Sequence, residues 1–157
     1  PGVAEYPLEY VNRPSVIAQI DHMVSINSCV AVDLYGQVAA ESSGVRQISG
    51  TGGQLDFLIG ASASRGGKAF ICMSSVYVDK DGQTHSRVRP QFNGDIITSP
   101  RSQVYFLATE YGVVNLEGRS TWERAEALVS IAHPAFRDYL IKEAEKRKIW
   151  RRSNRIR

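Results

Sequence analysis

The run Ser49-Gly50-Thr51-Gly52-Gly53-Gln54 is the segment best suited to bind a negatively charged group. Gly52 and Gly53 have no side chains, so the backbone there can approach a ligand closely. An apolar stretch with helical spacing follows, and the first turn of a helix offers unpaired N–H groups and a partial positive charge. A phosphate, a carboxylate or the oxyanion of a thioester reaction fits such a place. The run lacks the Walker A and dinucleotide fingerprints, and a tight turn without any ligand explains it equally well.

A second candidate, Glu110, follows the apolar run 104–108 and precedes a glycine turn. Open α/β sheets place active-site groups at the carboxyl ends of their strands, where this carboxylate is expected. Taken alone, Glu110 is more simply explained as a surface glutamate. The three histidines and two cysteines lack the spacing of a metal site or a Cys/His pair, so we expect no metal. We interpret Cys29 and Cys72, each inside an apolar run, as buried cytoplasmic thiols.

The elements that must position these residues alternate between strands and helices. A Ser120–Glu123 capping box begins one helix, and His133-Pro134 separates it from the next. An Asp-Gly turn at 79–82 predicts a two-stranded ribbon within 76–88. We predict further helices at 15–20 and 54–63, and strands at 23–27, 28–33, 38–40, 69–73, 96–98 and 104–109. This order favours an α/β domain with a mixed sheet.

The composition is that of an ordinary globular domain, with 157 residues, 22% charged and 43% hydrophobic. No run approaches the roughly 18 apolar residues of a membrane helix, so we expect no membrane partner. The chain opens without a basic or apolar leader, which favours a cytoplasmic location. We divide it into an extended Pro-rich entry segment (1–14), a domain (15–150) and a basic tail (151–157).

The positive charge is concentrated at the end of the chain. From Arg137 onward, nine basic residues face three acidic ones, giving +6, and the remainder carries −3. Lys146–Arg157 is dense enough to bind phosphates non-specifically, so a nucleic-acid binding module is one alternative function. Trp150 is the only aromatic residue among these charges, and no recognised nucleic-acid motif accompanies them. We therefore favour a solvated helix end and expect no nucleic-acid partner.

Several segments together resemble the carboxy-terminal domain of the acetyl-CoA hydrolase/transferase family. They are Asn12-Arg13-Pro14, Met23–Ser28, Val32–Val38, Gly50–Phe57, Thr109–Val113 and Arg124–Leu128, in the family's order. The likeness runs from about Glu9 to Trp150 and is strongest to 4-hydroxybutyrate and butyryl-CoA:acetate CoA-transferases. It implies a three-layer α/β/α domain with a mixed, mostly parallel sheet.

The resemblance also implies a function. CoA passes between an acyl-CoA and a short-chain carboxylate through a glutamyl-CoA thioester, with CoA or acyl-CoA as substrate and no tightly bound cofactor. An acyl-CoA hydrolase, in which water replaces the acceptor carboxylate, remains the sibling alternative. The family's nucleophilic glutamate lies before the region covered here, so an amino-terminal domain is an expected partner and the fragment alone is expected to be inactive. The intact enzyme is expected to be a homodimer.

The resemblance assigns roles to particular residues. It implies that the Gly53 N–H contributes to the oxyanion hole, that Asn12 is the active-site asparagine, and that Glu110 belongs to the acyl or carboxylate pocket. For contacts with CoA it implies Val30, Ser49, Gly52, Gly53 and Met73. Some relatives have Asn in place of Ser49 and Lys in place of Met73, so a polar contact is missing here. Lys68 is a nearby alternative cation for the CoA phosphates.

Overall fold

The computed structural model describes residues 2–149 as a mixture of short strands and helices. The helices are α1 (Leu8–Val11), α2 (Pro14–Ile17), α3 (Gln54–Ala63), α4 (Thr121–Ser130) and α5 (Pro134–Lys146). The strands are β1 (Val24–Ser28), β2 (Ala31–Asp33), β3 (Val38–Ala39), β4 (Ser42–Ser43), β5 (Arg46–Gln47), β6 (Lys68–Cys72), β7 (Val76–Val78), β8 (Thr84–Ser86), β9 (Val88–Arg89), β10 (Phe106–Thr109) and β11 (Gly112–Asn115). A 3₁₀ turn at Arg101–Gln103 precedes β10.

The main sheet has four strands in the order β1-β6-β10-β11. The first three are parallel, with Ile26, Phe70 and Phe106 side by side in the register, and β11 returns antiparallel to β10. The predicted mixed, mostly parallel sheet is therefore confirmed. A smaller sheet has the order β3-β2-β9, and the predicted ribbon is present as β7 and β8.

The direction of α3 decides which groups meet at the sheet. This helix lies between β1 and β6 in the chain and packs on both strands. A helix that links parallel strands runs antiparallel to them, so the start of α3 lies at the carboxyl ends of β1, β6 and β10. Fully buried side chains fix this packing, among them Leu58 of α3, Ile71 of β6 and Leu107 of β10.

The two sides of β1 differ in exposure. Ser25 is buried, whereas Val24 and Ile26 on the opposite side are 52% and 72% exposed. Parallel strands normally have both faces covered, so two apolar side chains in solvent on one face are unusual. This face is a place where further protein could pack.

Two sequence-based expectations are wrong in detail. The segment 96–98 is not a strand. The Ile96 N–H donates to the Ser42 hydroxyl, and the pairing with β3 is limited to an isolated antiparallel bridge between Ser99 and Val38. The entry segment is not extended throughout, since α1 lies within it. Pro7 and Pro14 mislead here because proline is tolerated at the start of a helix, where its missing N–H costs nothing.

Two other expectations concern the basic tail and membrane-spanning segments. The basic tail 151–157 lies outside the described residues. Within residues 2–149, none of the helices has the length and apolar character needed to span a bilayer.

Candidate functional site at the carboxyl edge of the sheet

The carboxyl edge of the parallel strands gathers most of the residues singled out from the sequence. Val30 follows β1, Met73 follows β6 and Glu110 follows β10, so all three leave the sheet at this edge. Gly53 is the N-cap residue of α3, which begins at the same edge. In open α/β sheets such an edge forms the ligand crevice. The topology thus brings together residues that are far apart in the sequence.

Asn12 and Gly53 are in direct contact across 41 positions of the chain. A Cβ atom built on Gly53 would lie only 2.4 Å from Asn12 Nδ2, so any side chain at this position would displace the Asn12 amide. The Gly53 backbone has φ −93°, which any residue can adopt, so close approach and not strain explains the glycine. Within residues 2–149, neither the Gly53 backbone N–H nor the Asn12 side-chain amide makes a hydrogen bond. Two neighbouring polar groups are therefore available to a ligand.

The packing of α2 on α3 supports this contact. A Cβ on Gly60 of α3 would lie 2.6 Å from Ile17 Cβ and 3.1 Å from the Pro14 carbonyl oxygen. The absence of a side chain at Gly60 therefore lets α2 lie directly on α3, with Ile17 buried between them. Because Asn12 ends α1 and lies two residues before α2, this close packing brings Asn12 to the start of α3.

Glu110 is held by a buried serine of the neighbouring loop. Its carboxylate accepts a hydrogen bond from the Ser75 N–H at 2.8 Å and a second from the Ser75 hydroxyl. The Ser75 hydroxyl is the main reason that the pKa of Glu110 lies below its ordinary value, with a smaller contribution from the charge of His133. Glu110 is therefore an ionised group that ties the end of β10 to the loop after β6.

Replacing Ser75 by alanine should raise the pKa of Glu110 towards its ordinary value, because the principal hydrogen bond is lost. The lowered pKa of Glu110 stabilises the native state at neutral pH, and this stabilisation is lost as the pH falls through the native pKa. S75A should therefore make the stabilisation at neutral pH smaller. A carbon-13 NMR titration of the Glu110 carboxyl measures the pKa directly. The control is S74A, since the Ser74 hydroxyl donates to the Val76 carbonyl instead. Equal Glu110 titration curves in S75A and wild type would contradict this assignment.

The side chains next to Val30 and Met73 are apolar or polarisable. Cys29 Sγ lies 3.5 Å from Met73 Sδ, and burial raises the pKa of the Cys29 thiol to about 12. Cys29 is thus protonated at neutral pH and is no nucleophile. The backbone of Val30 is fully engaged, donating to Ala39 and accepting from Arg87 Nη1 at 2.9 Å. Val30 and Met73 can therefore offer a ligand van der Waals contact.

The remaining predicted residues lie in the glycine-rich loop or away from it. Gly52 has φ +57°, a left-handed conformation that favours glycine, and it forms the turn into α3. Ser49 is exposed, and its hydroxyl donates to the Gly50 carbonyl. Lys68 begins β6, at the opposite end of the strand from the crevice. The alternative role of Lys68 as a cation beside the crevice is therefore not supported.

Sequence reasoning missed three residues that shape this edge. Ser75, three residues after the end of β6, holds the Glu110 carboxylate. Arg87 joins two loops, because its backbone N–H donates to the Ser75 carbonyl and its guanidinium group donates to the Val30 carbonyl. Glu41 is 4% exposed beneath the glycine-rich loop, and its Oε2 has no hydrogen-bond donor within residues 2–149. No local sequence pattern predicts these long-range contacts.

Comparison with known proteins identifies the domain to which this crevice belongs. The family model described as the acetyl-CoA hydrolase/transferase C-terminal domain matches residues 1–144. The chain belongs to this family. The resemblance inferred from the sequence motifs is thereby confirmed.

Individual relatives agree with this assignment. The butyryl-CoA:acetate CoA-transferase of Anaerostipes caccae is 55% identical over 156 residues, which are 99% of this chain and 35% of that protein. RipA from Yersinia pestis superposes with a TM-score of 0.83 at 42% identity, covering 92% of this chain and 32% of the other. A 4-hydroxybutyrate CoA-transferase from Porphyromonas gingivalis gives a TM-score of 0.70 at 42% identity, with coverage of 90% and 31%. The chain thus spans about one third of the length of these relatives.

Proposed function

We propose that this domain forms the CoA-binding part of a CoA-transferase that moves CoA between an acyl-CoA and a short-chain carboxylate of the butyrate, acetate or 4-hydroxybutyrate type. The observation that carries the proposal is the contact of Asn12 with Gly53, because it presents two unsatisfied polar groups side by side at the start of α3. The names of the similar proteins supply the reaction class and the substrates.

The proposed reaction requires groups at the start of α3 that stabilise a negative charge. A glutamate carboxylate attacks the thioester carbonyl, and the CoA thiolate leaves as an acyl-glutamyl anhydride forms. The thiolate then attacks the glutamyl carbonyl, which releases the first carboxylate and leaves a glutamyl-CoA thioester. Each attack places negative charge on a carbonyl oxygen. The Gly53 N–H and the Asn12 amide are suited to donate hydrogen bonds to that oxygen.

Other residues of the edge have supporting roles in this proposal. Val30 and Met73 contact the pantetheine arm through their side chains, and Ser49 and Gly52 line the glycine-rich loop beside it. Glu110 borders the carboxylate pocket. Because Ser75 donates a hydrogen bond to each of its two carboxylate oxygens, Glu110 is suited to order the pocket wall and not to attack the thioester.

The nucleophilic glutamate is proposed to come from a part of the protein outside this chain. The chain spans only 35% of the curated relative's length, which leaves room for an amino-terminal domain. We propose that this remaining part packs against the open face of the sheet, where Val24 and Ile26 are exposed. The division at 1–14, 15–150 and 151–157 and the homodimer stay predictions, as does the cytoplasmic location.

The proposal is tested by assaying the intact protein with butyryl-CoA in the presence and absence of acetate. We expect acetyl-CoA to form only when acetate is present, and the 157-residue chain alone to be inactive because it lacks the nucleophile. Release of CoA at the same rate without acetate would instead support the sibling function, an acyl-CoA hydrolase. Transfer activity by the isolated chain would contradict the proposed position of the nucleophile.

A further inference from the structure

Three arginines surround a cavity at the other end of the main sheet. Because β11 runs antiparallel to β10, its end leads into Arg119 and α4 at the amino edge of the parallel strands, away from the candidate active site. The cavity has a volume of about 330 Å³. Its lining consists of Arg101, Ser102, Arg119, Ser120, Thr121 and Arg124.

Hydrogen bonds hold the three guanidinium-bearing segments together. Arg124 donates from Nη1 to the Arg101 carbonyl at 2.8 Å and from Nε to the Arg119 carbonyl at 3.2 Å. Arg101 Nη1 in turn lies 3.3 Å from Thr121 Oγ1. Arg124 is half-buried, which limits its freedom, whereas the other two side chains face solvent. The packing therefore fixes the guanidinium group of Arg124 and places the segments that carry Arg101 and Arg119 around the same cavity.

None of these charges is neutralised by a carboxylate in direct contact within residues 2–149. Burial and the neighbouring Arg101 charge both lower the pKa of Arg124, as expected for a cation beside another cation. The nearby Glu123 carboxylate accepts hydrogen bonds from Ser120 in the capping box and interacts electrostatically with Arg119 at longer range. The Ser120 side chain also caps the start of α4. The guanidinium groups, not the helix end, thus define the available binding chemistry.

We propose that this arginine cluster binds the phosphate groups of a small phosphorylated ligand, at a site separate from the candidate CoA site. Guanidinium groups match phosphate oxygens with two parallel hydrogen bonds, and hydroxyls such as those of Ser102 and Thr121 can complete the set. A ligand with two linked phosphates neutralises more of the cluster's positive charge than one with a single phosphate. This site goes beyond the proposed transferase function and does not depend on it.

The test uses isothermal titration calorimetry of the 157-residue chain with inorganic pyrophosphate at low ionic strength. We expect saturable binding of one pyrophosphate, weakened about tenfold or more by either R101Q or R119Q, since each removes a charge-assisted contact. The matched control is K80Q, which removes one positive charge from an exposed turn of the ribbon and should change the affinity less than twofold. Circular dichroism verifies that each variant is folded.

Two results would overturn the proposal. One is the absence of saturable binding, or an equal loss of affinity in K80Q and R119Q, which would show only non-specific attraction to a basic chain. The other concerns the separation of the sites. Repeating the titration with saturating CoA should leave pyrophosphate affinity unchanged, and displacement by CoA would place the cluster within the CoA site.

Discussion

The G53A variant of the intact protein is expected to lose CoA-transfer turnover by about 100-fold or more. The added methyl would lie 2.4 Å from Asn12 Nδ2, so Asn12 must move away from the position in which we propose that it meets the substrate. Loss of a single oxyanion-stabilising donor typically costs about 10² to 10³ in turnover, and here the clash disturbs both donors. Folding should suffer less, by about 1–3 kcal/mol, because the atom struck is the end of a side chain and the backbone angles of Gly53 suit alanine.

The matched control for this variant is G50A in the same loop. A Cβ on Gly50 would meet no atom within 4 Å, and its φ is not in the left-handed region. G50A should therefore retain turnover within about threefold, as a substitution without new contacts does. Steady-state kinetics of the two variants, with thermal melts beside them, separates loss of the site from loss of the fold. Near-wild-type turnover in G53A would contradict the role given to the Asn12–Gly53 contact.

The G60A variant is expected to lower thermal stability and to weaken the site from a distance. Alanine gains up to about 1 kcal/mol over glycine within a helix. That gain is outweighed because the new methyl would lie 2.6 Å from Ile17 Cβ and 3.1 Å from a backbone oxygen, neither of which can rotate away. Overpacking of this kind costs about 1–3 kcal/mol, and a few degrees of melting temperature per kcal/mol follow for a domain of this size. We expect a decrease of about 4–8 °C.

A double-mutant cycle with Ile17 isolates the cause. I17A alone removes a buried side chain and should destabilise the domain by about 2–5 kcal/mol. In the I17A/G60A double variant the contact with Ile17 Cγ2 at 2.7 Å is removed, whereas the Cβ of residue 17 remains, so G60A should cost less stability in the I17A background than in the wild type. Urea denaturation of the four proteins measures the interaction energy. Additive losses would show that α2 and α3 do not meet at this pair.

Local patterns predicted the elements of this fold better than their contacts. The Ser120–Glu123 capping box correctly marked the start of α4, because both of its hydrogen bonds lie within four consecutive residues. The Asp79–Gly82 turn correctly marked the ribbon for the same reason. By contrast, Ile96–Thr98 has the composition of a strand, but the Ile96 N–H donates to the hydroxyl of Ser42, 54 residues away, and only a single bridge at Ser99 pairs this part of the described chain with β3.

The candidate site was predictable only in part. The glycine-rich run predicted that another group approaches the backbone closely there. The position of Glu110 after an apolar run predicted a carboxylate at the edge of the sheet. The sequence spacing did not predict that Asn12 is the residue in contact with Gly53, because this contact depends on how α2 packs against Gly60. The bond between Ser75 and Glu110 likewise depends on the parallel pairing of β6 and β10. Tertiary packing, not local propensity, determines both contacts.

The central claim is that CoA thioesters bind where Asn12 meets Gly53, and an NMR titration tests it most directly. Adding acetyl-CoA to the nitrogen-15-labelled chain should shift the Gly53 backbone amide and the Asn12 side-chain amide, because both are donors without a partner within residues 2–149 and they lie next to each other at the crevice. Residues at the amino edge, such as Lys68, should stay unchanged. Saturable shifts that spare Gly53 and Asn12 and appear elsewhere on the sheet would contradict the account.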